Sequence, residues 1–159
     1  LAGFPCDYTH SVQIIAQNNK QIAINSALKL DLTGQVCSDA VGYRQISGTG
    51  GQLEYNRGAD LSPGGKAIIC LAATHQDKVG KLASNIVAGL EPGDTVTVPA
   101  TEVSYVVTEF GVVNLKGMST WQRARLLISI AHPDFRDELE AAARKVKLIT
   151  RRTAKLKLP

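Results

Sequence analysis

The stretch Ser47-Gly48-Thr49-Gly50-Gly51-Gln52-Leu53-Glu54-Tyr55 places three glycines in four positions. A backbone that bare lets a ligand approach main-chain N–H groups directly, and such amides can hold an anion or a developing oxyanion. The same composition also serves an ordinary tight turn between strands, and the loop alone does not separate the two uses.

Other residue groups have weaker claims. Ser47 or Ser119 with His132 and Asp134 supplies the residue types of a serine hydrolase, but no Gly-x-Ser-x-Gly elbow is present. His132 stands before Pro133 and is more simply a helix-start residue. Gly64-Gly65-Lys66 has the look of a P-loop end, yet the earlier glycine position is Asp60 and Ala67 replaces the magnesium-binding hydroxyl. His10 and His75 have no ligand spacing, and Cys6, Cys37 and Cys70 contain no C-x-x-C pair, so no metal is expected. Three cysteines also make no disulfide framework, and a reducing compartment fits them best.

The elements that must position the glycine loop are legible from periodicity. A short helix is expected over Thr9 to Asn18. Ile22, Ile24, Ser26, Leu28, Leu30 and Leu32 then alternate with Ala23, Asn25, Ala27, Lys29 and Asp31, which predicts a strand whose even-numbered face is buried and whose other face carries Asn25. Thr33-Gly34 turns the chain and Val36 to Ser38 returns as a partner strand. Ala67 to Ala73 is a continuous apolar run, the pattern of a central parallel strand buried on both faces. Thr95 to Val98, Val103 to Val107 and Val112 to Leu115 read as further strands. Ser119-Thr120-Trp121-Gln122 is a capping box opening a helix to Ile130, and Pro133 opens a last helix to about Thr150.

Length and composition set the frame. A chain of 159 residues with 44% hydrophobic and 20% charged residues is read as one domain, residues 1–159, of α/β class with a mostly parallel sheet flanked by helices. No apolar run approaches the roughly 18 to 20 residues of a membrane span, and no secretory signal opens the sequence, so no membrane role and a cytoplasmic location are expected. The absence of an initial Met suggests a processed product or part of something longer. The net charge of +4 is concentrated at the end: residues 144 to 159 carry seven basic residues and no acid. With no aromatic residue interleaved, that tail reads as a solvated end, and no nucleic-acid role is expected.

Several segments together resemble one family. Ala23-Ile24-Asn25-Ser26-Ala27, Asp31-Leu32-Thr33-Gly34-Gln35-Val36 and the glycine loop are similar, in order, to the C-terminal half of the acetyl-CoA hydrolase/transferase family, which includes 4-hydroxybutyrate CoA-transferase. Arg57-Gly58-Ala59, Gly64-Gly65-Lys66, Val106-Val107-Thr108-Glu109-Phe110-Gly111 and Ile130-Ala131-His132-Pro133-Asp134-Phe135-Arg136 continue the match in the same order.

The resemblance implies the C-terminal domain of the NagB/RpiA/CoA transferase-like fold. It also implies movement of coenzyme A between an acyl-CoA and a small carboxylate acceptor such as acetate, by way of a glutamyl-CoA thioester. Acyl-CoA hydrolysis, or a catalytically silent CoA-binding domain, are the alternatives. It further implies that Gly48, Gly50 and Gly51 bring main-chain amides to the thioester, that Asn25 contacts coenzyme A, and that Thr74 lies near the cleft. No catalytic residue is expected in this chain, because the family glutamate lies upstream in an N-terminal half absent here. Glu54, Glu102 and Glu109 are poor substitutes, and the chain alone is expected to be inactive. Expected partners are its own N-terminal domain and, for the full-length protein, a second copy in a homodimer. Two departures remove positive charge: Asn85 and Ala100 stand where the family usually has arginine.

Overall fold

The computed structural model describes residues 2–158. In chain order its elements are α1 (Cys6–Thr9), α2 (Val12–Ala16), β1 (Ile22–Ser26), β2 (Lys29–Asp31), β3 (Val36–Cys37), β4 (Ala40–Val41), β5 (Arg44–Gln45) and α3 (Gln52–Leu61). These are followed by β6 (Lys66–Cys70), β7 (Thr74–Gln76), β8 (Leu82–Ser84), β9 (Ile86–Val87), β10 (Tyr105–Thr108), β11 (Gly111–Asn114), α4 (Thr120–Ser129) and α5 (Pro133–Lys145).

The central sheet has the order β1-β6-β10-β11. β1 and β10 each run parallel to β6, and β11 returns antiparallel beside β10, so the expected mostly parallel α/β sheet is present. A smaller sheet, β3-β2-β9, adjoins it, and β4-β5 and β7-β8 are antiparallel pairs. The main core joins Leu30, Val36, Ile69, Ile86, Val106 and Leu127, all fully buried.

The long alternating run is not one strand. At Ala27 and Leu28 the chain changes partners: the Ala27 N–H donates to the Cys70 carbonyl, and the Leu28 N–H donates to the Cys37 carbonyl. β1 therefore belongs to the central sheet and β2 to the smaller one. Leu30 and Leu32 are buried as expected, but Ile22 and Ile24 are exposed, because among the described residues no element covers that face of β1. The apolar run from Ala67 is likewise corrected. Ala67 and Ile69 face the core, whereas Ile68 and Cys70 point to the uncovered side.

Three further expectations are adjusted. The first helix is two short turns with a break at His10 and Ser11. Thr95 to Val98 is not a full strand: the bonding is limited to a bridge of Val98 to Val36, to which the Thr97 N–H adds a bond to the Val36 carbonyl, and the Thr95 and Thr97 hydroxyls hold the rest. The last helix stops at Lys145 rather than near Thr150. The capping box at Ser119 and Gln122 and the proline start of α5 are both present.

Buried carboxylates organise the loops that lack regular structure. Asp31 accepts from the Thr33 N–H at 2.9 Å, the Gln35 N–H at 3.0 Å and the Gln35 side chain at 2.8 Å, which locks the Thr33-Gly34 turn. Asp39 accepts from the Thr95 hydroxyl at 2.6 Å and from the Thr97 hydroxyl. Those donors hold its carboxyl below the ordinary value, against the opposing effect of burial. Burial pushes Asp94 upward, but the Gly42 N–H, the Lys29 ammonium and the Glu91 N–H outweigh it, so this carboxyl also lies low.

A group whose folded pKa is depressed contributes stability above its unfolded value, and that contribution is lost as pH falls through the folded value. Stability therefore declines below about pH 4. Asp39→Asn is expected to cost roughly 2 kcal/mol near neutrality and to flatten the acid decline, since it leaves the Thr95 and Thr97 hydroxyls without an ionised acceptor. Urea unfolding at pH 7 and pH 3 reads both effects.

Candidate functional site

The parallel strands β1, β6 and β10 end together, and their carboxyl edge frames a hollow of about 490 Å³ lined by Ser26, Ala27, Cys70, Val107, Thr108 and Glu109 among others. In open α/β sheets that edge is where ligands bind. α3 returns the chain toward β6, so its first turn must lie at the same edge. The Gln52 side-chain amide donates to the Ser26 carbonyl at 3.3 Å and fixes it there.

The glycine loop is thus the entry to a helix, not a turn between two strands. Gly48, Thr49 and Gly50 are exposed and Gly51 is half-buried at the cap position. No side chain caps α3. Its first N–H groups have no acceptor within the helix, and they carry the positive end of the helix dipole. This is an anion-receptive geometry.

The three glycines serve different ends. Gly50 has φ of +57°, where a side chain is strained. Around Gly48 nothing lies within 4 Å of a would-be Cβ. At Gly51 a Cβ would fall 2.0 Å from the His10 ring, so there the close neighbour is this chain's own histidine. His10 meets Tyr55 edge-on at 5.5 Å, and Cys6, Asp7, His10, Gly50 and Glu54 line a second hollow of about 490 Å³.

Asn25 lies one residue before the edge, on the helix-covered face, where its side-chain amide donates to Asn56 Oδ1 of α3 at 3.1 Å. Asn56 is fully buried, and its own Nδ2 has no partner among the described residues. Thr74 starts β7 just beyond the end of β6 and pairs with Ser84. The structure therefore brings Gly48, Gly50, Gly51, Asn25 and Thr74 to the same end of the sheet.

The glutamates divide. Glu109 accepts from the Ala73 N–H with both oxygens, at 2.9 and 3.1 Å, and braces the segment leading to Thr74. Glu102 pairs with Arg57 at 3.3 Å, while Glu54 stays in the first turn of α3. Asn85 is nearly buried, with Oδ1 2.6 Å from His75 Nδ1 and Nδ2 donating to the Ala72 carbonyl. Ala100 offers its carbonyl to Arg123 at 2.6 Å, and burial lowers that guanidinium from its ordinary value. Sequence reasoning missed α3 itself, the Glu109 brace and the His10 contact. Among the described residues no group of three or more His, Cys, Asp or Glu could hold a metal ion, and no helix is long and apolar enough to cross a membrane.

A parallel α/β sheet with a glycine-led helix start at its carboxyl edge defines a domain suited to binding an anionic ligand. The sequence pattern of the acetyl-CoA hydrolase/transferase C-terminal domain matches residues 1–143, and the chain belongs to that family. It is 46% identical over 144 residues to the butyryl-CoA:acetate CoA-transferase of Anaerostipes caccae, covering 91% of this chain and 32% of that protein. It is 48% identical over 136 residues to the 4-hydroxybutyrate coenzyme A transferase of Clostridium kluyveri, covering 86% and 31%. The crystal structure of RipA from Yersinia pestis superimposes with a TM-score of 0.81 at 46% identity, covering 91% of this chain and 32% of that one. The chain spans about a third of the length of these relatives.

The constraints on Gly50 and Gly51 can be told apart. Gly51→Ala is expected to cost about 1 kcal/mol by displacing the His10 ring, and the cost should vanish when His10→Ala is made first. Gly50→Ala should cost about 1 to 2 kcal/mol in either background, because its penalty is backbone strain. Thermal unfolding of the four variants checks both.

Proposed function

We propose that residues 1–159 form the C-terminal domain of a cytoplasmic CoA-transferase. In this reading the full-length protein is a homodimer that moves coenzyme A between an acyl-CoA and a small carboxylate such as acetate. The observation that carries the reading is the open set of amides from Gly48 to the start of α3, beside the hollow at the strand ends.

The chemistry is covalent catalysis by a carboxylate carried upstream of this chain. That glutamate attacks the thioester carbonyl, the carbonyl oxygen gains the negative charge, and collapse expels coenzyme A as a thiolate to leave an acyl-glutamyl anhydride. The thiolate then attacks the glutamyl carbonyl, releasing the donor carboxylate and forming a glutamyl-CoA thioester. The acceptor carboxylate repeats the two steps in reverse and leaves as the new acyl-CoA. Each step passes through a tetrahedral oxyanion. Fixed donors such as the Gly48 and Gly50 amides are suited to that charge because they need no reorganisation when it appears. Gly51 shapes the loop against His10, and Asn25 and Thr74 flank the coenzyme.

One specific feature supports a second reading, a silent CoA-binding domain. Asn85 and Ala100 carry no charge of their own where the family usually has arginine: Asn85 bonds His75 and the Ala72 carbonyl, and the Arg123 guanidinium is held by the Ala100 carbonyl. The full-length protein separates the readings. Under the first, incubation with acyl-CoA followed by borohydride or hydroxylamine marks one upstream glutamate and acceptor acyl-CoA accumulates. Release of free acid without acceptor product means hydrolysis, and binding without turnover means a silent domain. Turnover with no marked glutamate rules out the covalent route.

Gly48→Ala tests the loop itself. A methyl group there meets nothing in the fold, so the melting temperature should hold. The value of kcat/KM should drop by about tenfold to a hundredfold, because the methyl stands where the thioester must approach.

A further inference from the structure

α3 turns a graded face to the central sheet. Gln52, Asn56 and Ala59 follow the helical spacing of i, i+4 and i+7, and all three are buried. At the deep end Ala59 meets Ala23 and Ala67. At the edge the Gln52 amide donates to the Ser26 carbonyl. Asn56 lies between them with no exposed surface, at a place where a helix packed on a sheet ordinarily puts an apolar side chain. Its Oδ1 accepts from the Asn25 amide at 3.1 Å, and its Nδ2 meets no acceptor among the described residues. Turning both amides over would keep one bond and still leave one Asn56 atom bare. Stability gains nothing from this arrangement, because an unpaired buried polar group costs at least as much as one hydrogen bond contributes.

We infer that Asn56 is a positioning residue for the coenzyme site, which fixes the Asn25 amide in one orientation so that its remaining N–H and its carbonyl oxygen meet the incoming coenzyme. This rests on the reading of Asn25 as a coenzyme contact. Asn25 is half-buried next to the strand edge and makes no other side-chain hydrogen bond among the described residues, so those two groups stay available. An asparagine amide left to itself turns broadly about its last torsion and exchanges donor for acceptor. The bond to Asn56 removes that freedom before a ligand arrives, and an ordering step already made in the fold is not charged to binding.

The placement of Asn56 gives the bond a second consequence. It stands one turn inside the helix that the glycine loop opens, on the face toward β1. The Asn25 contact and the first amides of α3 are therefore held by one helix, and a ligand that pulls on either finds both already set.

The test reads melting temperature and coenzyme A affinity, the latter by titration calorimetry, on the full-length protein. Asn56→Leu is of similar volume and removes the bare polar atom, so the melting temperature should hold or rise. The Kd for coenzyme A should nonetheless weaken by about fivefold to twentyfold. Asn56→Asp keeps an acceptor for the Asn25 N–H but buries a carboxyl group, so its melting temperature should drop while its affinity stays within about twofold of the unmodified protein. With Asn25→Ala made first, Asn56→Leu should leave the affinity unchanged. A residue that only supports the fold gives the opposite order, and Asn56→Leu with a lowered melting temperature and unaltered affinity overturns the inference. Independent, additive losses for Asn25→Ala and Asn56→Leu overturn it too, as does an unmodified protein that does not bind coenzyme A. If Asn56→Asp does not fold, the Asn25 and Asn56→Leu cycle decides alone. An acyl-CoA exchange assay on the unmodified protein keeps the two readings apart: binding without turnover refutes the transferase, and the affinity cycle still decides the role of Asn56.

Discussion

The structure depends on how closely α3 lies against β1 and β6. Ala23, Ala59 and Ala67 form the contact, and Gly58 stands where a Cβ would fall 2.4 Å from Ile15 of α2. Methyl groups and a bare α-carbon let a helix, a second helix and a sheet stack with almost no side-chain spacer, and that proximity fixes where α3 begins and ends. Polar bonds then set its register: Asn25 to Asn56, Gln52 to the Ser26 carbonyl, and Ser104 to Asp60 at 2.7 and 2.8 Å. A bulkier layer would lift the helix and carry its first amides away from the strand ends. The receptive edge is thus a product of small residues far from it.

Regular hydrogen bonding is sparse between β2 and α3 and between β9 and β10, and carboxylates take its place there. Asp31, Asp39 and Asp94 each gather two or more donors, many of them backbone N–H groups that would otherwise lie unpaired near the core. A buried charge is tolerable when donors surround it in this way. The Lys29 to Asp94 pair at 3.0 Å adds a cation whose own burial is compensated by the same acid. These anchors let short strands and irregular segments frame the core without a ladder.

Much of the fold was legible because helix-start chemistry and short apolar alternation mark elements locally. The Ser119 capping box, the proline start of α5 and the β10-β11 hairpin all stand close to their expected places. α3 was not legible, since Gln52, Asn56, Arg57 and Asp60 give it no apolar stripe and Gly58 lowers its propensity. Its fold is imposed by tertiary contact through small residues, which a hydrophobic pattern does not register. The face of β1 was misread for a related reason: alternation tells which residues share a side, not which side meets the core. At the site, glycine spacing pointed to the loop, and similarity added Asn25 and Thr74. The His10 contact joins residues 41 positions apart and leaves no local trace.

The partner change at Ala27 and Leu28 has a bearing on how this domain comes apart. Two sheets share one uninterrupted length of backbone there, with successive amides bonded to opposite neighbours. Neither sheet can fray along that seam without breaking the first bonds of the other, so opening events that begin in one spread into its neighbour. A connection with no slack makes the pair behave as a single cooperative unit, and it keeps the floor of the hollow rigid while the exposed loop beside it is free to adjust.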